Sequence, residues 1–62
     1  MTIYLTDRGK PINGLQIKER YGKDFEAQKK FQNIPRFVVY RGTEGQAEFY
    51  RLSSAKKFCE KL

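Results

Sequence analysis

Hydrophobic and polar positions along the chain predict six short elements, and the clearest pair is a β-hairpin over residues 34–51. Phe37 to Tyr40 is an unbroken β-branched and aromatic run, which favours an extended chain. Gly42 to Gly45 supplies two glycines where a tight reversal needs positive φ. Ala47 to Tyr50 then alternates small or aromatic residues with polar ones. Pro35 precedes the hairpin and keeps the residue before it out of helical φ/ψ. We expect the helices to pack on this hairpin.

The residues upstream of the hairpin predict a short strand, a loop and a helix. Thr2 to Thr6 favours a short strand at the edge of the hairpin sheet, and the polar run Asp7 to Lys10, stopped by Pro11, predicts a loop. Asn13 resembles a helix N-cap with Gln16 three residues later, as in a capping box. The first helix is predicted over residues 14–21, with Leu15, Ile17 and Tyr21 as apolar contacts and Gly22 at its end.

A second helix is predicted immediately after that glycine. Asp24 offers its N-cap, and the segment from Phe25 to Gln32 places Phe25, Ala27 or Gln28, and Phe31 on one inward face. Pro35 forbids its extension.

The cleanest amphipathic pattern in the chain predicts a last helix after the hairpin. Ser53 or Ser54 caps it. Apolar residues follow at i, i+3, i+4 and i+7, namely Ala55, Phe58, Cys59 and Leu62. The whole chain, residues 1–62, is then a single small α+β domain.

The balance of charge is the first indication of function. Thirteen Lys and Arg residues stand against seven Asp and Glu residues, which gives a net charge of +6 and a pI near 9.7. Such a field attracts polyanions, of which nucleic acid is the commonest. The alternative is that many small domains are basic without binding anything.

The composition gives little material for catalysis. The chain has one cysteine and no histidine, so a disulfide framework within it is excluded and a zinc site is not expected. Its acids are scattered rather than paired, which leaves no general base. Cys59 is expected to be a small core residue in a reducing cytoplasm. No apolar run approaches the ~20 residues that span a membrane. We expect a cytoplasmic protein that is not an enzyme and uses no cofactor or metal.

The order of these elements predicts a winged helix-turn-helix, in which the second helix enters the major groove of double-stranded DNA and the hairpin wing contacts the backbone or minor groove. Amide, ammonium, hydroxyl and guanidinium groups suit phosphate and base contacts. The candidate DNA-binding residues are Lys23, Gln28, Lys29, Lys30, Gln32, Arg36, Arg41, Thr43 and Arg51. Alternatively, the lysines form a solvated helix face, and the two arginines beside the hairpin pair with Glu44 or Glu48.

Residues 15–62 resemble the winged-helix phage excisionases and related MerR-like regulators. The matching segments are Tyr21-Gly22, residues 24–32, residues 34–37, residues 41–45, and Phe49-Tyr50-Arg51 leading to Ser53-Ser54-Ala55 and Phe58. The resemblance implies a non-catalytic architectural protein that bends double-stranded DNA and biases a recombinase toward excision, or that represses a promoter nearby. A role in DNA packaging is also open. Cooperative binding, or binding as a dimer, is part of this expectation.

A protein-interaction module is the alternative of a different class. A small basic domain of phage type can inhibit an acidic host protein, or dimerise through the edge at Phe37 to Tyr40. An aromatic patch of Tyr4, Tyr40 and Tyr50 is the expected feature of that function.

Overall fold

A four-stranded antiparallel sheet with two α-helices forms the fold in the computed structural model, which describes residues 3–61. The strands lie side by side in chain order. In sequence the elements are β1 (Tyr4–Asp7), β2 (Gln16–Tyr21), α1 (Lys23–Lys29), β3 (Phe37–Arg41), β4 (Glu44–Phe49) and α2 (Leu52–Glu60). Thr2 of the predicted first strand and Leu62 of the predicted last helix lie outside the described residues.

The predicted β-hairpin is confirmed by β3 and β4. The two strands pair antiparallel from Phe37 opposite Phe49 to Arg41 opposite Glu44, and the chain reverses at Gly42 and Thr43. Gly42 has a φ of 64°, the conformation for which a glycine was expected there. The same expectation for Gly45 is wrong, since Gly45 lies within β4 and has no positive φ. The register shifts between Val39 and Tyr40, so β4 carries a bulge beside the turn.

The predicted first helix is wrong, and the predicted winged helix-turn-helix fold is therefore wrong as well. The segment Gln16–Tyr21 is strand β2, which lies between β1 and β3 with Ile17 opposite Val39 and Glu19 opposite Phe37. The physical reason is that a lone two-stranded hairpin is marginal in water, whereas further strands bury a continuous apolar face. The fold is therefore a small α+β domain in which a single helix, α1, connects β2 to β3.

Asn13 is part of a tight turn and does not cap the start of a helix. Ile12 and Leu15 exchange two backbone hydrogen bonds of 2.9 Å around it. Asn13 and Gly14 have φ values of 52° and 77°, and Asn-Gly is the preferred pair for such a two-residue turn. The Asn13 Nδ2 also donates to the Cys59 carbonyl oxygen at 2.8 Å, which ties the turn to the last residues of α2.

The substitution Asn13→Ala is expected to lower the free energy of unfolding by about 1.5–2.5 kcal/mol. It removes the hydrogen bond to Cys59 and places alanine in the left-handed region, at about 1 kcal/mol for each effect. Asn13→Gly is the matched control, since it loses the same bond without the strain and is expected to cost less. Urea denaturation measures both. Equal losses would show that the left-handed turn conformation contributes nothing.

Both helices differ from their predicted bounds or caps. The second predicted helix begins at Lys23 rather than Phe25 and ends at Lys29, and Gly22, not Asp24, is its N-cap. Phe31 therefore lies beyond the helix and is 88% exposed, so its predicted inward position is wrong. The last helix has Arg51 as its N-cap with no side-chain cap hydrogen bond, and the predicted serine caps lie inside it.

The main core lies between one face of the sheet and α2. Its buried members are Leu15, Ile17, Phe37, Val39, Ala55 and Cys59, against which Ile12, Phe49, Leu52 and Phe58 pack. The rings of Phe49 and Phe58 are 5.5 Å apart between centroids. The predicted periodicity of α2 is thus confirmed for the described residues, because Ala55 and Cys59 are both fully buried.

Candidate nucleic-acid interface

Strand alternation gives the sheet two chemically different faces. One face carries Ile17, Phe37 and Val39 and packs on α2. The other, here called the outer face, is defined by the alternate residues of the four strands. It comprises Leu5, Asp7, Gln16, Lys18, Arg20, Val38, Tyr40 and Glu48.

The outer face is electrically neutral because its charges pair with one another. Lys18 Nζ lies 3.9 Å from the Asp7 carboxylate and 5.4 Å from the centre of the Tyr40 ring. Arg20 Nη1 lies 3.4 Å from a Glu48 carboxylate oxygen and donates to the Pro35 carbonyl oxygen at 2.7 Å. A cavity of about 290 Å³ on this side is lined by strand residues. Two cations balanced by two anions do not make a surface for a polyanion.

A second group of ion pairs surrounds Glu19. Its carboxylate oxygens lie 3.3 Å from Arg8 Nε and 3.5 Å from Arg36 Nη1. Arg36 Nη2 also donates to Glu26 of α1 at 2.9 Å, and its guanidinium lies 4.8 Å from the centre of the buried Phe25 ring. Arg36 therefore holds α1 against the sheet.

The remaining basic side chains make no ion pair with any acid within residues 3–61. Four of the thirteen Lys and Arg residues are paired as described, and the other nine are exposed. These nine, the exposed cations, are Lys10, Lys23, Lys29, Lys30, Arg41, Arg51, Lys56, Lys57 and Lys61. Of the seven acids, Asp7, Glu19, Glu26 and Glu48 take part in the ion pairs described above. The net positive charge is thus carried by flexible side chains at the surface.

The structure divides the predicted DNA-binding residues between two ends of the sheet. Arg41 and Thr43 lie at the β3–β4 turn. The others lie near the opposite end of β3, in α1, in the segment that follows α1, or at the start of α2. They are Lys23, Gln28, Lys29, Lys30, Gln32, Arg36 and Arg51. The five residues of β3 separate the two groups by about 16 Å. Their contacts with DNA stay a prediction, but α1 is no longer the second helix of a helix-turn-helix.

A further set of cations, which the sequence did not predict, surrounds a cavity beside α2. The cavity has a volume of about 420 Å³. We call it the basic groove, and its lining consists of Asp7, Arg8, Gly9, Lys10, Ile12, Ile17, Leu52 and Lys56. The sequence signal for it was the Asn13–Gly14 turn, which directs the loop after β1 back toward α2. Because Asn13 was predicted to cap a helix, Arg8 and Lys10 were assigned to a loop without contacts to the rest of the chain.

Cys59 does not resemble a nucleophile. It is fully buried and is the free cysteine of the chain. Burial raises the pKa of its thiol, and the neighbouring negative charge of Glu60 raises it further. A raised pKa keeps the sulfur protonated at neutral pH and therefore unreactive. No group of three metal-ligating side chains occurs among residues 3–61 either.

Comparison with known proteins gives no family for this chain. No family model matches it, and no curated protein or solved structure is significantly similar to it. The resemblance to excisionases stays a prediction from the sequence, and the winged-helix part of it is wrong. Within the described residues, neither helix has the length and apolar character needed to cross a membrane.

Proposed function

We propose that the chain is a non-catalytic nucleic-acid-binding domain that attaches to the phosphate backbone of double-stranded DNA. The observation that carries this proposal is the set of nine exposed cations, which have no acidic partner within residues 3–61. These side chains can contact phosphate without first losing an acidic partner. Each contact with phosphate releases condensed counterions, which drives binding without reference to base sequence.

The shape of the domain supports a duplex as the partner. Its longest dimension is 33 Å and the other two are 18 and 17 Å. A length of 33 Å corresponds to roughly ten base pairs of B-form DNA, since each pair rises about 3.4 Å. Exposed cations at both ends of β3 then allow one molecule to contact phosphates on either side of a groove.

Titration of the protein into a fluorescent duplex of about 20 base pairs and random sequence tests this function. At about 50 mM salt we expect a rise in anisotropy with a micromolar dissociation constant, the range of non-specific DNA binding. A neutral dextran of similar size serves as the control for crowding effects. No rise in anisotropy at protein concentrations of about 100 μM would contradict the proposal, because electrostatic binding is strongest at low salt.

Protein interaction is the second candidate, and edge strand β1 favours it. Ile3, Tyr4 and Leu5 are 37%, 52% and 43% exposed, and the Tyr4 ring lies 5.6 Å from that of Tyr21, which is also exposed. Exposed apolar residues beside an unpaired strand edge are suited to strand addition by a partner. This patch differs from the predicted one, because Tyr40 is only partly exposed beneath Lys18. The predicted dimer edge at Phe37 to Tyr40 is wrong, since β3 is an interior strand that pairs with both β2 and β4. If the chain does not bind the DNA duplex, and if Leu5→Ser abolishes its binding to a partner protein, protein interaction is the function supported.

A further inference from the structure

We propose that the basic groove holds one nucleotide of the bound nucleic acid, with its phosphate among Arg8, Lys10 and Lys56. The apolar residues Ile12, Ile17 and Leu52 line the same groove and are more buried than the three cations, so the sugar of that nucleotide would pack against them. This inference rests on the proposed function, since it takes the nucleotide to be a unit of the DNA strand.

Three cations reach the groove from two separate parts of the chain. Arg8 and Lys10 belong to the loop after β1, and Lys56 belongs to α2. Lys56 follows Leu52 by four residues, so both lie on the same face of the helix. The helix therefore contributes one apolar and one cationic side chain to the same cavity. Phosphate recognition by several convergent cations is stronger than by a single charge.

The loop is held in place before any ligand binds. The Arg8 backbone N–H donates to the Ile17 carbonyl oxygen at 2.9 Å, and Gln16 Nε2 donates to the Gly9 carbonyl oxygen at 3.0 Å. The Arg8 guanidinium is positioned through its Nε by Glu19, while its side chain stays 48% exposed. A site that is already ordered loses less conformational entropy on binding.

The acids near the groove each take part in an ion pair. Asp7 lines the groove, but its carboxylate lies 3.9 Å from Lys18 on the outer face. Glu19 is shared between Arg8 and Arg36. Lys10 and Lys56 have no acidic partner among the described residues. The groove therefore presents surplus positive charge.

The size and composition of the groove suit more than an isolated anion. Its volume of about 420 Å³ falls within the ~300–1,000 Å³ typical of sites for small organic ligands. Three aliphatic side chains next to three cations suit a ligand that has both a charged phosphate and a less polar part. A nucleotide has this composition, and a nucleic acid supplies it at high local concentration.

A pair of charge-matched double variants tests the groove. K10Q/K56Q removes two cations from it, whereas K57Q/K61Q removes two exposed cations of α2 and its C-cap that do not line it. In the duplex titration at about 50 mM salt we expect K10Q/K56Q to bind at least tenfold more weakly than the wild type. Across a series of salt concentrations, its slope of log binding constant against log salt is expected to be shallower by about 1.8, or about 0.9 for each lost phosphate contact. The control is expected to lose less than threefold. All four lysines are exposed, so both variants are expected to fold, which circular dichroism verifies.

Equal losses in the two variants would overturn the groove as a phosphate site while leaving the nucleic-acid function intact. A different result, no binding of the duplex by the wild-type protein, would contradict the nucleic-acid function itself. NMR titrations with the duplex and with thymidine monophosphate then distinguish a DNA strand from a free nucleotide. Amide shifts at Gly9 and Lys10 with the duplex support the proposal. The opposite result is micromolar binding of the mononucleotide at the groove together with duplex binding that K10Q/K56Q leaves unchanged. That result would assign the groove to a free nucleotide and overturn the proposal.

Discussion

Phe25→Ala is expected to lower the free energy of unfolding by about 3–5 kcal/mol, the usual effect of truncating a buried phenylalanine. Phe25 is fully buried, and the Arg36 guanidinium lies over its ring at 4.8 Å from the centroid. A domain of this length is stable by roughly 3–9 kcal/mol in total, at about 0.05–0.15 kcal/mol per residue. The substitution is therefore expected to leave much of the population unfolded at room temperature.

Phe31→Ala is the control, because it truncates the same side chain just beyond the same helix. Phe31 is 88% exposed, so its loss is expected to change stability by less than about 0.5 kcal/mol. Urea denaturation followed by circular dichroism compares the two. Phe25→Leu, which keeps most of the buried volume, is expected to fall between them and supplies a measurable value if Phe25→Ala does not fold. Similar midpoints for Phe25→Ala and Phe31→Ala would contradict the burial of Phe25.

Elements with strong local signals could be predicted from the sequence. The β3–β4 hairpin follows from a β-branched and aromatic run next to a glycine turn, and the signal is complete within residues 37–49. The inward face of α2 follows from the spacing of Ala55 and Cys59, which are both buried. In both cases neighbouring residues contain the whole pattern, so no tertiary information was needed.

Strand β2 could not be predicted in the same way, because its stability comes from distant partners. Among its six residues Ile17 alone is buried, so neither a helical nor a strand period is evident. Its neighbours β1 and β3 determine its conformation through antiparallel pairing on both sides. Asn13 misled the prediction further, since asparagine is favoured both at helix N-caps and in left-handed turns.

The total charge of the candidate site could be predicted, but its distribution could not. The surplus of cations is a property of composition, whereas ion pairing depends on which strands are neighbours. Arg36 was a candidate for phosphate and instead bridges Glu19 and Glu26. Lys56 is exposed and lines the basic groove together with Arg8 and Lys10, which precede it by more than forty residues. Contacts between residues far apart in sequence decide both outcomes.

Raising the salt concentration from about 50 to about 200 mM is expected to weaken duplex binding by roughly 10²–10³-fold. The nine exposed cations are spread over the surface, so one face meets the duplex with about half of them. Four to five phosphate contacts give a slope near −4 for the logarithm of the binding constant against the logarithm of salt, at about −0.9 per contact. Ion pairs buried in an apolar interface would be screened much less.

We would measure this slope first, by repeating the anisotropy titration of the wild-type protein at five salt concentrations. The random-sequence duplex is suitable because the proposed contacts are to phosphates rather than to bases. A linear plot with a slope near −4 is the result expected of a phosphate-binding surface formed by the exposed cations. A slope shallower than about −1, or no binding at about 50 mM salt, would contradict the proposed function.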